Sequence, residues 1–90
     1  MAVCLFFHGP GITQAQYDAV RNEVAPGDRP PQGATYHVAG PTEDGWCVAE
    51  VWESEEALKQ FAEGTLKSAL EKHGVSGHLR VFQVVRTMQA

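Results

Sequence analysis

The sequence predicts an α+β chain of order β-α-β-β-α-β, a four-stranded antiparallel sheet with two helices on one face. Three observations carry this. Four apolar runs are bounded by glycine and proline. Two segments with apolar residues at helical spacing begin at capping residues. Turn chemistry separates the second and third runs and makes them a hairpin.

Taken in order, residues 2–8 form the first strand, an apolar run that stops at Gly9-Pro10-Gly11. That triplet lacks the context of a phosphate loop and is a turn. Thr13 caps the first helix, with Gln16 three residues on as in a capping box. Tyr17, Ala19, Val20 and Val24 then recur at helical spacing, and Pro26-Gly27 ends the helix. A polar loop containing Pro30-Pro31 leads to a second strand at 34–39. Gly40 to Gly45 is turn sequence, and residues 46–52 form the third strand. Ser54 caps the second helix, with Glu55 and Glu56 in its positive first turn. Leu58, Phe61, Leu66 and Leu70 are its buried stripe, and Gly64 marks a kink or break. His73-Gly74 ends it, and residues 78–87 form the last strand.

This order is the split βαβ, ferredoxin-like pattern. A sheet with one solvated face should alternate apolar and polar residues. These strands are apolar on both faces, so something covers the open one. A second copy of the chain is the economical cover, and a homodimer through the sheet face is expected.

The third strand has two unlike faces. Trp46, Val48, Glu50 and Trp52 lie on one, Cys47, Ala49 and Val51 on the other. The small face suits a closely packed helix. The aromatic face, with one carboxylate in its middle, suits the wall of a ligand pocket.

Composition bounds the function. Ninety residues make one domain, residues 1–90, burying about 60–65% of the surface of the unfolded chain. Hydrophobic content of 43% and charged content of 20% are those of a globular protein. A net charge of −4 with no basic cluster argues against nucleic acid. The first apolar run is too short to span a bilayer and lacks the flanks of a signal peptide, so the chain reads as cytoplasmic, with no membrane partner. Cys4 and Cys47 are expected as free thiols. Four histidines without HxH or HxxxH spacing, and no dinucleotide fingerprint, lead to an expectation of no metal and no cofactor.

The small β-α-β-β-α-β chain, the Gly45-Trp46 start of the third strand and the strand-to-helix junction Val51-Trp52-Glu53-Ser54-Glu55-Glu56-Ala57-Leu58 resemble the dimeric α/β-barrel proteins. More narrowly, they resemble the antibiotic-biosynthesis-monooxygenase-like proteins. The resemblance implies two sheets packed face to face in a dimeric barrel, with a cavity between sheet and helices in each subunit. That scaffold serves cofactor-free anthrone oxygenases, haem-degrading monooxygenases and lactone isomerases. The haem-degrading members use an Asn on the first strand, and a Trp and a His on the second helix. Here the first strand has no Asn and the second helix has Phe61 and no Trp, though His73 lies near its end.

His37 and Glu50 are the candidate catalytic pair. They lie on strands joined by a hairpin, and pairing around Thr42–Glu43 sets His37 opposite Val48 or close to Glu50, depending on register. A carboxylate that orients a histidine makes a general base near neutral pH; the alternative is a satisfied structural hydrogen bond. Trp46 and Trp52 are candidates to hold a flat aromatic ligand. Arg80, on one face with Phe82 and Val84, is expected either to meet a ligand's carboxylate or phenolate or to pair with Glu50 or Glu53. Tyr17, Phe82 and His8 complete the substrate-binding set.

Two function classes follow. One is a small cofactor-free enzyme, a monooxygenase, cyclase or isomerase, acting on an aromatic or polyketide-type molecule. The other is a non-catalytic dimeric ligand-binding or stress-related module. Haem degradation ranks below both.

Overall fold

A computed structural model describes residues 1–89. Strand β1 (Val3–Pro10) is followed by helix α1 (Gln14–Val24), a short 3-10 turn (Pro26–Asp28), β2 (Ala34–Pro41) and β3 (Gly45–Trp52). Helix α2 (Glu55–Phe61) passes through a π-helical turn (Ala62–Leu66) into α3 (Lys67–Lys72), and β4 (His78–Gln83) closes the order. The four strands form one sheet in the order β2-β3-β1-β4, every pair antiparallel.

The caps explain where the helices begin. The Thr13 hydroxyl accepts from the Gln16 backbone N–H, and the Gln16 side chain reaches back to the Thr13 N–H. The Ser54 hydroxyl accepts from the Ala57 N–H, so β3 turns into α2 two residues after Trp52. The second helix is interrupted around Gly64, where its hydrogen-bonding pattern widens to a π turn. Gly45 is required by close approach, since a Cβ there would collide with the Gly9 carbonyl. Gly33 has φ 93° and lies against Ala57, where a Cβ would come within 2.7 Å.

Register fixes the faces. β1 sets Val3 opposite Trp52 and Leu5 opposite Glu50, while β2 sets His37 opposite Glu50 and Ala39 opposite Val48. The core is Val3, Leu5, Trp52 and Leu58, with Phe7, Ala34, Ala57 and Phe61 packed on it. The aromatic face of β3 therefore lies under the helices. This corrects the expectation for Cys47, Ala49 and Val51. That small face packs no helix and belongs to the open side of the sheet, with Cys4 and Phe6 of β1 and Val38 of β2. The helices sit over the large side chains because Leu58 and Phe61, carried back by the Ser54 cap, need apolar area to bury.

β4 is shorter than the sequence implied. Its ladder ends at Gln83, and a single further bond joins the Val84 N–H to the Ala2 carbonyl at 2.9 Å. β1 begins at Val3, so residues 85–89 have no strand to pair with. Cys4 and Cys47 are both free thiols. No helix among the described residues is long and apolar enough to cross a membrane.

Candidate functional site

Four side chains from three elements form a continuous hydrogen-bonded chain on the helix side of the sheet. Tyr17 of α1 lies over the β2–β3 hairpin, its hydroxyl 2.6 Å from His37 Nε2. His37 Nδ1 lies 2.7 Å from Glu50 Oε2 on the neighbouring strand. The other carboxylate oxygen, Oε1, accepts from Trp52 Nε1 at 3.2 Å. An ionised carboxylate only accepts, so in the neutral imidazole the proton sits on Nδ1 and Nε2 accepts from the Tyr17 hydroxyl.

The environment grades from wet to dry along this chain. The His37 side chain is 39% exposed and that of Glu50 13%, while Trp52 is wholly buried. Burial pushes the Tyr17 phenol above its ordinary 10.0, and the Glu50 carboxylate adds to the effect while Arg21 opposes it. Tyr17 therefore stays a phenol through the neutral range. Its ring stands 6.0 Å from the His37 ring, stacked at 27°, and 5.1 Å from that of Trp46, tilted at 31°. Trp46 is itself buried, and its indole N–H has no hydrogen-bond partner.

The geometry brings together His37, Glu50, Tyr17 and Trp46 from the candidate set. It corrects four others. Trp52 is fully buried against Phe61, with ring centroids 5.1 Å apart, and has no surface to offer a ligand. Arg80 and Phe82 lie on the open side, because the register pairs Arg80 with Phe6 and Phe82 with Cys4. Arg80 thus meets neither Glu50 nor the helix-side residues. His8 also lies on the open side, opposite Cys47, with Nε2 3.0 Å from Asp44 Oδ1. The sequence carried a sign of this on β4, where His78 and Arg80 share one face and Leu79 and Val81 the other. The direct Tyr17–His37 bond and the hold of Trp52 on Glu50 were not anticipated. The second had a readable sign, because residues 50 and 52 share a face of one strand.

A groove of about 470 Å³ lies between the end of α1, the loop at Pro31–Gln32 and α2. Val24, Pro31, Ala57 and Phe61 give it apolar walls, and Glu53 and Glu56 add carboxylates. His37 does not line it. No group of three or more His, Cys, Asp or Glu side chains among the described residues is arranged to hold a metal ion.

No protein-family model matches the sequence, and no curated protein is recognisably similar to it. Solved structures are. A candidate antibiotic biosynthesis monooxygenase from Chloroflexus aurantiacus superposes with a TM-score of 0.69 at 18% identity, covering 99% of this chain and 98% of that one. SnoaB, a cofactor-independent oxygenase from Streptomyces nogalater, gives 0.68 at 13% identity over 99% of this chain and 97% of its own. A candidate monooxygenase from Shewanella loihica gives 0.66 at 20% identity over 96% of each. At such identities the likeness is one of fold. The chain has the ferredoxin-like fold of the antibiotic biosynthesis monooxygenases.

Proposed function

We propose that this chain is a small cofactor-independent oxygenase of aromatic or polyketide-type molecules, and that it works as a homodimer. The observation that carries the proposal is the chain Tyr17–His37–Glu50–Trp52. It holds a neutral imidazole by its Nδ1–H, leaves Nε2 as a proton acceptor, and sets a carboxylate behind it to stabilise the imidazolium that forms. The fold shared with a cofactor-independent oxygenase supports the same reading.

In this reaction His37 takes a proton from an acidic C–H or O–H of the substrate, directly or through the Tyr17 hydroxyl. For an anthrone-like CH₂ group the C–H bond breaks and its electron pair spreads into the ring system toward the ring oxygen. One electron passes to O₂, and the resulting radical and superoxide combine in a C–O bond. The peroxide regains the proton from His37 and loses water, leaving C=O. The balance is CH₂ + O₂ → C=O + H₂O, with oxygen as the only oxidant.

The dimer rests on the open face. Phe6 is 41% exposed, Val38 47% and Phe82 56%, and Cys4, Ala49 and Val51 lie among them. Covering such a face with a second copy removes apolar area from water at about 25 cal/mol per Å². The groove under α2, which His37 does not line, favours a second reading: a non-catalytic ligand-binding dimer.

Anthrone in air-saturated buffer separates the two readings, with absorbance following anthraquinone and an electrode following oxygen. The oxygenase reading expects oxygen uptake well above the uncatalysed rate. It expects His37→Ala to lose roughly 10²–10⁴ of that rate while its circular dichroism is unchanged. Equal rates in the two proteins would reject His37 as the base. Saturable binding without oxygen uptake would favour the non-catalytic reading.

A further inference from the structure

The groove between the end of α1, the Pro31–Gln32 loop and α2 takes no part in the Tyr17–His37–Glu50 chain. Its walls are fixed on both sides. The Glu53 backbone N–H donates to the Gly33 carbonyl at 2.8 Å, which fastens the loop to the start of α2. A Cβ at Gly33 would strike Ala57 and come within 3.5 Å of Glu53 Oε1, so the Glu53 carboxylate lies directly over the loop. On the other side the helix widens into its π turn. Phe61 stands just before that turn and Thr65 within it, and both line the groove. Such turns interrupt a regular helix and recur at functional sites. The Phe61 ring is backed by Trp52 at 5.1 Å, which holds it in place as a wall.

The charge of the groove is one-sided. Glu53 and Glu56 both line it, and no Lys, Arg or His side chain lines it with them. Among the described residues neither carboxylate takes part in an ion pair, whereas Glu23, Asp28, Asp44 and Glu50 all do. We infer that this groove binds a small organic amine, with its ammonium group between Glu53 and Glu56 and its apolar body against Val24, Pro31 and Phe61. An ammonium group carries three donors and no acceptor, which suits two carboxylates that lack a cation. Burial of the carbon body on the apolar walls supplies the rest of the attraction. An anionic ligand would meet repulsion from the same two groups. The groove lies on the helix side, so a second copy covering the open face of the sheet leaves it accessible. The inference does not depend on His37 acting as a base.

Three probes of one shape test it. 2-Phenylethylamine is a cation at neutral pH, 2-phenylethanol keeps the ring and chain without charge, and 3-phenylpropanoate is an anion. Each is titrated into the ¹⁵N-labelled chain. The amide signals of Ala57, Phe61 and Thr65 report the groove, and that of His37 reports the other site. The amine should bind about tenfold more tightly than the alcohol, the worth of two exposed ion pairs. Added salt should narrow that gap, since exposed charges are screened. The propanoate should bind most weakly. The double variant Glu53→Gln, Glu56→Gln should bind amine and alcohol alike, and the alcohol as tightly as wild type does. Equal binding of amine and alcohol by wild type would overturn the inference. So would an amine preference that survives the double substitution, an amine that moves the His37 signal and not those of the groove, or binding of none of the three. Should the double variant fail to fold by circular dichroism, the comparison of amine with alcohol in the wild-type protein still decides.

Discussion

His37 Nδ1 and Glu50 Oε2 stand 2.7 Å apart across the β2–β3 ladder, on residues the register sets directly opposite each other. Cross-strand neighbours on one face are the closest side-chain pairs a sheet offers. The hairpin thus builds the pair without help from distant parts of the chain. The helices supply what lies on either side of it, Tyr17 in front and the Trp52–Phe61 packing behind.

Glu50→Gln tests what the carboxylate adds. The amide still reaches His37 and Trp52 but brings no negative charge to an imidazolium. If His37 is the base, oxygen uptake on anthrone should fall by roughly ten- to a hundredfold, less than for His37→Ala. The fold should persist, as measured by circular dichroism. A Glu50→Gln protein as active as wild type would mean that the pair is structural.

Trp52→Phe should act on stability first. Trp52 is fully buried with Val3, Leu5 and Leu58, and its N–H holds Glu50. Phenylalanine leaves a void and frees one carboxylate oxygen, at a cost of about 1–3 kcal/mol. Urea unfolding measures this as a lower midpoint with an unchanged slope. Unaltered stability together with weakened ligand binding would return Trp52 to the ligand wall.

Much of this was legible in the sequence, and its limits were physical. Thr13 with Gln16 and Ser54 with its acidic first turn located both helix starts, because capping is local chemistry. The shared face of Trp46, Glu50 and Trp52 followed from the period of a strand. Which face the helices cover was not readable, since Cys47-Ala49-Val51 and the aromatic set are both apolar. Arg80 was readable and was misplaced, since it shares its β4 face with His78 while Leu79 and Val81 form the apolar face turned to the helix side. The Tyr17–His37 bond depends on how α1 lies across the hairpin, a packing outcome that no spacing in the sequence encodes. Trp46 and Trp52 looked alike as residues. Only the fold gives one a hydrogen-bond partner and leaves the other without.

The helix pair carries an acid-sensitive clasp. Glu23 of α1 lies 2.9 Å from Lys72 Nζ and 2.8 Å from His73 Nε2 at the end of α3. The hydrogen bond from Lys72, and then that from His73, holds the Glu23 carboxyl below its ordinary 4.5. A carboxyl lowered in the folded state contributes stability fully above its unfolded value and loses it as pH falls through the folded one. The Glu23→Gln protein should therefore lose less stability than wild type on acidification from neutral pH to below 4.5. Urea midpoints across a pH series measure the difference. The effect is small because the group is exposed. Parallel curves for the two proteins would show that the clasp contributes nothing.

Val38→Glu tests the dimer without touching the site. Val38 lies on the open side of β2, opposite Ala49, while its neighbour His37 points to the helix side. Val38 is 47% exposed in the single chain, so a carboxylate there costs an isolated protomer little. Between two sheets packed face to face, the same carboxylate would be desolvated with no cation beside it, and burying an unpaired charge is far more costly. If the open face is the dimer surface, wild type should elute with twice the 9.8 kDa chain mass and Val38→Glu with the single mass, by light scattering. A double substitution with Phe6→Asp, on the same side of β1, should complete the dissociation if one charge leaves a mixture. The Tyr17–His37–Glu50 bonds all lie within one chain, so a folded Val38→Glu monomer should keep them. Any activity it loses would then belong to the interface. A wild-type protein that is already monomeric at micromolar concentration would sink the proposal and leave Phe6, Val38 and Phe82 without a cover.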